Sequence, residues 1–224
     1  MTSLAWPHPI GAVVFDLDGV LIDSEPLHFE ATRLVLERYG VPYTEDDHRE
    51  FLGCTFYDMY AALRDRHGLT VDVTEVVRRR SEALVPLYHE RGVPMDGVLE
   101  VLEWLRDAGR PLAVASSSLP ELIRIKLEVL GVASFFAATV SGWDVARGKP
   151  APDVFLEAAR RLGQAPEHCL AVEDSRNGML AARAAGMACA VVPCAASLHQ
   201  DFSEATVRLR RLPDLIAVLE AHTR

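Results

Sequence analysis

Two carboxylates, Asp16 and Asp18, follow directly on the apolar run Val13, Val14 and Phe15 in the stretch VVFDLDGVLIDSE. Strands disfavour aspartate, so the placement calls for a chemical reward. Alternation about Leu17 points both carboxylates toward one site while the chain stays extended. Other apolar runs end in the same way: Ser116 and Ser117 close PLAVASS, Lys149 follows TVSGWDVARG, and Glu173 and Asp174 follow CLAV. Oxygen ligands from carboxylates, a backbone carbonyl and waters suit the octahedral shell of Mg²⁺. An ammonium, a hydroxyl and the free N–H groups of the Asp16 to Gly19 turn suit a phosphate, which Gly19 lets the backbone approach closely. Together these are the parts of metal-assisted phosphoryl transfer.

Each part also has a plainer reading. Ser116 could begin the serine-rich cap of a helix, and Glu173 and Asp174 could be acids favoured at a helix start. Composition speaks for Lys149. Of the 23 basic residues only Lys126 and Lys149 are lysines, so arginine serves wherever a generic positive charge suffices. A lysine offers a compact point charge that can bridge an anion and a carboxylate at close quarters.

Periodicity supplies the elements that position these groups. Residues 11–15, 111–115, 137–141, 169–173 and 188–192 read as short strands buried on both faces. Helical stretches at 97–108, 119–130, 151–162, 176–185 and 213–221 alternate with them. This predicts an α/β fold, a doubly wound parallel sheet with helices on both faces, whose ligands bind beyond the carboxyl ends of the strands. Residues 25–91 interrupt the alternation with helical periodicity and no convincing strand, so they form an all-helical insert between core segments 1–24 and 92–224.

Bulk properties bound the function. A net charge of −9 and no basic block beyond Arg78 to Arg80 exclude nucleic acid as the main partner. Those three arginines read as a solvated helix face. No apolar run reaches transmembrane length and the N-terminus lacks a signal pattern, so the expectation is a cytoplasmic protein with no membrane partner. Cys54, Cys169, Cys189 and Cys194 have no C-x-x-C spacing and read as reduced, mostly buried thiols. Oligomeric state is not legible.

DLDGVLIDSE, VASSS, GKPAPDVFLEAARRLG and AVEDSRNGMLAARAAGM, in this order, resemble the four motifs of the haloacid dehalogenase superfamily. The similarity is greatest to the branch of β-phosphoglucomutase and the small sugar-phosphate phosphatases. It implies a Rossmann-like core with residues 25–91 as the cap. Asp16 would be the nucleophile that forms an aspartyl phosphate, and Asp18 the general acid and base. Ser116, Ser117, Lys149 and Gly19 would hold the phosphoryl group. Asp16, Asp18, Glu173 and Asp174 would form the Mg²⁺ site.

His28 falls where the mutase carries a hinge histidine. The dehalogenases lack the second aspartate, and phosphonate-cleaving members need a cap lysine that residues 26–91 do not contain. The expected activity is hydrolysis of a small phosphorylated metabolite, with the mutase as the alternative and a non-catalytic phospho-ligand domain as a third reading. A mutase must grip a second phosphate with cap cations, yet Gly53 is followed by Cys54, Thr55 and Phe56, with no arginine before Arg64.

Overall fold

A computed structural model describes residues 6–51 and 56–223. Cys54 and Thr55, on which part of the cap argument rests, lie outside the described residues.

Six parallel strands form one sheet in the order β3-β2-β1-β4-β5-β6. They are β1 (Ala12–Phe15), β2 (Leu112–Ser116), β3 (Ala138–Ser141), β4 (Cys169–Glu173), β5 (Ala188–Val191) and β6 (Val207–Arg208). Chain order reverses at β1, which pairs with β2 on one side and β4 on the other. Every residue of β1, β2, β4 and β5 is buried, as strands covered on both faces must be. The sequence reading found the first five strands to within a residue or so. It missed β6, a two-residue edge strand too short to show a period.

Crossover helices follow the strands. In chain order, α1 (Glu25–Glu37), α2 (Glu45–Glu50), α3 (Phe56–His67) and α4 (Val73–Arg91) precede α5 (Val98–Asp107), α6 (Pro120–Val129), α7 (Asp153–Leu162), α8 (Arg176–Ala184) and α9 (Asp214–Thr223). Val154, Phe155, Ala158 and Ala159 of α7, with Met179, Ala181 and Ala182 of α8, pack on the alanine- and valine-rich strands in one apolar core. The small side chains on the strands let these helices lie close against the sheet.

The chain divides into two compact units, residues 1–23 with 93–224, and residues 24–92. It leaves the sheet unit at Asp23 and returns at Val93, where the Asp23 N–H donates to the Val93 carbonyl at 3.1 Å. The second unit is helical. Its α1 and α4 pack together, and Val35, Tyr60 and Val76 form a small apolar cluster. Leu36, Val41, Tyr43, Met59 and Leu63 form another.

One sequence expectation fails in this unit. Arg78 does face solvent, pairing with Glu75 and Glu82, but Arg80 turns inward. Its guanidinium donates to Thr32 Oγ1 at 2.9 Å and to His28 Nδ1, and lies 4.8 Å from the centre of the Phe56 ring. Successive helical residues are rotated by about 100°, so three in a row cannot share one solvated face.

Candidate active site

The backbone of β1 brings the first carboxylate to the sheet's carboxyl edge. The Asp16 N–H still donates to the Val172 carbonyl at 2.9 Å, so the ladder runs one residue beyond the strand. The chain then turns tightly. Gly19 takes φ +75°, and its N–H donates to the Ile22 carbonyl at 2.9 Å. A Cβ at Gly19 would stand 2.5 Å from Asp174 Oδ2, so only glycine fits both the backbone angle and the space.

Lys149 reaches the same point from the loop after β3. Its three N–H donors go to Asp16 Oδ1 at 2.5 Å, to the Ala115 carbonyl at 2.9 Å and to Glu173 Oε1. The ammonium also lies 4.9 Å from the centre of the Phe155 ring. Glu173 is wholly buried at the end of β4, and its second oxygen accepts from the Asp174 and Ser175 N–H groups and the Ser175 hydroxyl. That hydroxyl in turn caps α8 through the Gly178 N–H.

Asp16, Glu173 and Asp174 place carboxylate oxygens within 4.8 Å of one another. Three carboxylates face one ammonium, so with all three ionised two negative charges would be uncompensated at close range. Burial raises the Asp16 carboxyl well above its usual range; Lys149 opposes that rise, and Glu173, Asp174 and Asp18 add to it. Burial, then Glu173, pushes Asp174 up to about 7, against a hydrogen bond from the Cys194 thiol. Burial also acts to lower Lys149, but Asp16 and Glu173 overcome it and hold the ammonium above its ordinary value. The donor set therefore fits a hard divalent cation, which would supply the charge the cluster lacks.

The remaining expected residues divide into three groups. Ser116 is buried, with its Oγ accepting from the Ser118 N–H at 3.1 Å, and Ser117 next to it is exposed. His28 lies in the helical unit. Because Arg80 can only donate, His28 Nδ1 accepts, and Nε2 faces the Tyr88 hydroxyl at 3.4 Å. The Asp18 side chain, expected among the metal ligands, is instead bound to a lysine: both its oxygens accept from Lys126 Nζ, at 2.6 and 2.7 Å. A carboxylate drawn to a buried ammonium leaves the cluster formed by the other three.

Lys126, on α6, is the residue that the sequence reading did not assign. It lies 108 positions from Asp18 inside an ordinary amphipathic helix. The signal was nonetheless present, because the scarcity of lysine that singled out Lys149 applies equally to Lys126. Cys194 was likewise read as a plain thiol. Its Sγ lies 3.1 Å from Asp174 Oδ2, and burial pushes the thiol up to about 11.

Among the described residues no helix is long and apolar enough to cross a membrane. The profile of the haloacid dehalogenase-like hydrolases matches residues 10–186. The phosphorylated carbohydrates phosphatase of Thermotoga maritima is 36% identical over 79% of this chain and 82% of its own length. Hexitol phosphatase B of Escherichia coli is 32% identical over 96% of this chain and 98% of its own. Among solved structures, CbbY from Rhodobacter sphaeroides in complex with phosphate superposes with a TM-score of 0.84 at 29% identity, covering 94% of this chain and 99% of that one. With its parallel sheet, its acidic strand ends and a family match that spans most of its length, the chain belongs to the haloacid dehalogenase-like hydrolases.

Proposed function

We propose that the protein is a Mg²⁺-dependent phosphatase of small phosphorylated metabolites, sugar phosphates foremost, working through an aspartyl phosphate on Asp16. The observation that carries this reading is the cluster of Asp16, Glu173 and Asp174 around Lys149, short of two positive charges, with Asp18 two residues beyond. The names of the phosphatase relatives support the substrate class.

Asp16 and Asp174 would hold the metal, and Glu173, fully hydrogen-bonded, would fix Lys149 and the start of α8. When bound, the cation supplies charge that favours ionised Asp16 and offsets the phosphate's charge. Asp16 attacks phosphorus as the bond to the leaving oxygen breaks, and Asp18 gives that oxygen a proton. Asp18 then takes a proton from the water that hydrolyses the aspartyl phosphate. Lys149, relieved of Asp16's charge once the phosphoryl group is attached, can turn one N–H to a phosphoryl oxygen. Ser116, whose oxygen accepts from Ser118, has its hydroxyl proton for another. Residues 25–91 would act as the cap that selects the leaving group.

One observation favours the mutase as a second reading. The inward guanidinium of Arg80 gives the helical unit a cation beside His28, whereas the stretch between Gly53 and Arg64 offers none. The experiment is a screen of phosphorylated sugars with the purified protein, following free phosphate and sugar isomers together, with Mg²⁺ and with excess chelator. Phosphate release that needs the metal is expected. Release undiminished by chelator removes the metal, and isomer appearing faster than phosphate replaces the phosphatase with the mutase.

A further inference from the structure

Asp18 is held by a seat that belongs to the sheet unit. Lys126 is wholly buried on α6, and its Nζ donates to both Asp18 oxygens and to Ser118 Oγ at 2.8 Å. The Ser118 hydroxyl donates in turn to Asp18 Oδ2 at 2.9 Å. Burying an ammonium is costly unless it is paired and hydrogen-bonded, so this lysine is poorly explained as helix packing. The composition gives an independent reason. The chain uses arginine at its other 21 basic positions and lysine only at 126 and 149, where an ammonium meets carboxylates at the ends of β1 and β4. A planar guanidinium is too broad to bridge two groups at such close quarters.

We propose that Lys126, with Ser118, is the positioning residue of Asp18 and serves the hydrolytic half of the cycle; this rests on the phosphatase reading given above. The two bonds from Lys126 and the one from Ser118 that reach Asp18 are all donated to its carboxylate. The seat therefore receives Asp18 as an acceptor, the form that takes a proton from water attacking the aspartyl phosphate. Water adds to phosphorus, the bond to Asp16 breaks, the proton passes to Asp18, and inorganic phosphate leaves. Because the seat is built on α6 and the segment between β2 and α6 of the sheet unit, the position of Asp18 on this account does not depend on which leaving group the helical unit admits.

The test uses acetyl phosphate as phosphoryl donor with Mg²⁺, since its good leaving group needs no acid. Formation and decay of phosphorylated Asp16 are followed by rapid quench in the wild type, Lys126→Met, Ser118→Ala, Asp18→Asn and Lys126→Met with Asp18→Asn. A carboxylate displaced by about 1 Å can lose on the order of a hundredfold in rate. Lys126→Met is expected to slow phosphoenzyme decay about tenfold to a hundredfold while leaving its formation nearly unchanged, so kcat and KM fall together and kcat/KM is kept. Ser118→Ala, a smaller lesion that keeps the fold should the lysine variant not, shifts the same step less. On the Asp18→Asn background Lys126→Met adds no further slowing, since both changes act through one group. Decay unchanged in both seat variants, a loss confined to kcat/KM, or additive losses overturn the seat. Failure of the wild type to become phosphorylated on Asp16 overturns instead the phosphatase reading beneath it.

Discussion

The third residue of α8 and the last of β4 are in contact so close that no side chain fits between them. A Cβ on Gly178 would lie 1.9 Å from the Glu173 carboxyl carbon. Glu173 cannot retreat, because its oxygens are tied to Lys149, Ser175 and two backbone N–H groups. Gly178→Ala is therefore expected to cost about 1–3 kcal/mol or more in stability and to displace Lys149. Thermal unfolding together with phosphate release checks this; a variant of unchanged melting temperature and turnover refutes it.

The two aspartates differ in role, and conservative amides separate them. Asp16→Asn is expected to abolish turnover and phosphoenzyme alike. Asp18→Asn is expected to leave a slow enzyme, reduced by roughly 10² to 10⁴ fold, the usual worth of positioned acid–base assistance. Intact-mass spectrometry with peptide mapping reads the outcome, and phosphate found on a residue other than Asp16 contradicts the assignment.

In excess chelator the acidic cluster makes stability depend on pH in a defined direction. Burial and Glu173 push the Asp174 carboxyl up to about 7 in the fold, against about 4 in an unfolded chain. A raised acid binds its proton more tightly when folded, so its stabilisation is complete below about pH 4 and is lost as pH rises through 7. Asp16, also raised, acts in the same direction. The metal-free protein is expected to melt several degrees lower at pH 8 than at pH 5.5, and Mg²⁺ to restore more at pH 8. Melting temperatures with and without Mg²⁺ at the two pH values provide the check, and a metal effect equal at both contradicts it.

Arg78 and Arg80, two residues apart on α4, are expected to respond unequally to truncation. Arg78→Ala removes only exposed pairs and changes stability by less than about 0.5 kcal/mol. Arg80→Ala removes hydrogen bonds to Thr32 and His28 and the stacking on Phe56, at a cost of about 1–3 kcal/mol. Hydrogen exchange along α1 and α4 reports the difference. Equal protection in the two variants argues that Arg80 is as peripheral as its neighbour.

The buried strands were legible because each is a short apolar run, and the sheet's carboxyl edge followed from their alternation with helices and from the polar residues that end β1, β2 and β4. The same local logic brought Asp16, Lys149 and Asp174 to notice. What escaped it was non-local or aperiodic. Lys126 meets Asp18 only because α6 folds back over the sheet, which no spacing reveals. The helix α2, EDDHRE, buries nothing and so has no hydrophobic period; its one signal was the capping box between Thr44 and Asp47. Arg80 was hidden by its neighbours, since a run of three like charges looks uniform in sequence and is divided among directions only by the helix.

The burial of both lysines reaches beyond catalysis. Lys126 and Lys149 have side chains 0% and 7% exposed, so the folded protein shows reagents almost none of its ε-amines. Acylating agents, aldehyde crosslinkers and lysine-modifying enzymes meet an arginine-covered surface to which they are nearly blind. Acylation at either lysine then counts the molecules that have opened, which gives the chain a built-in chemical reporter of its own unfolding.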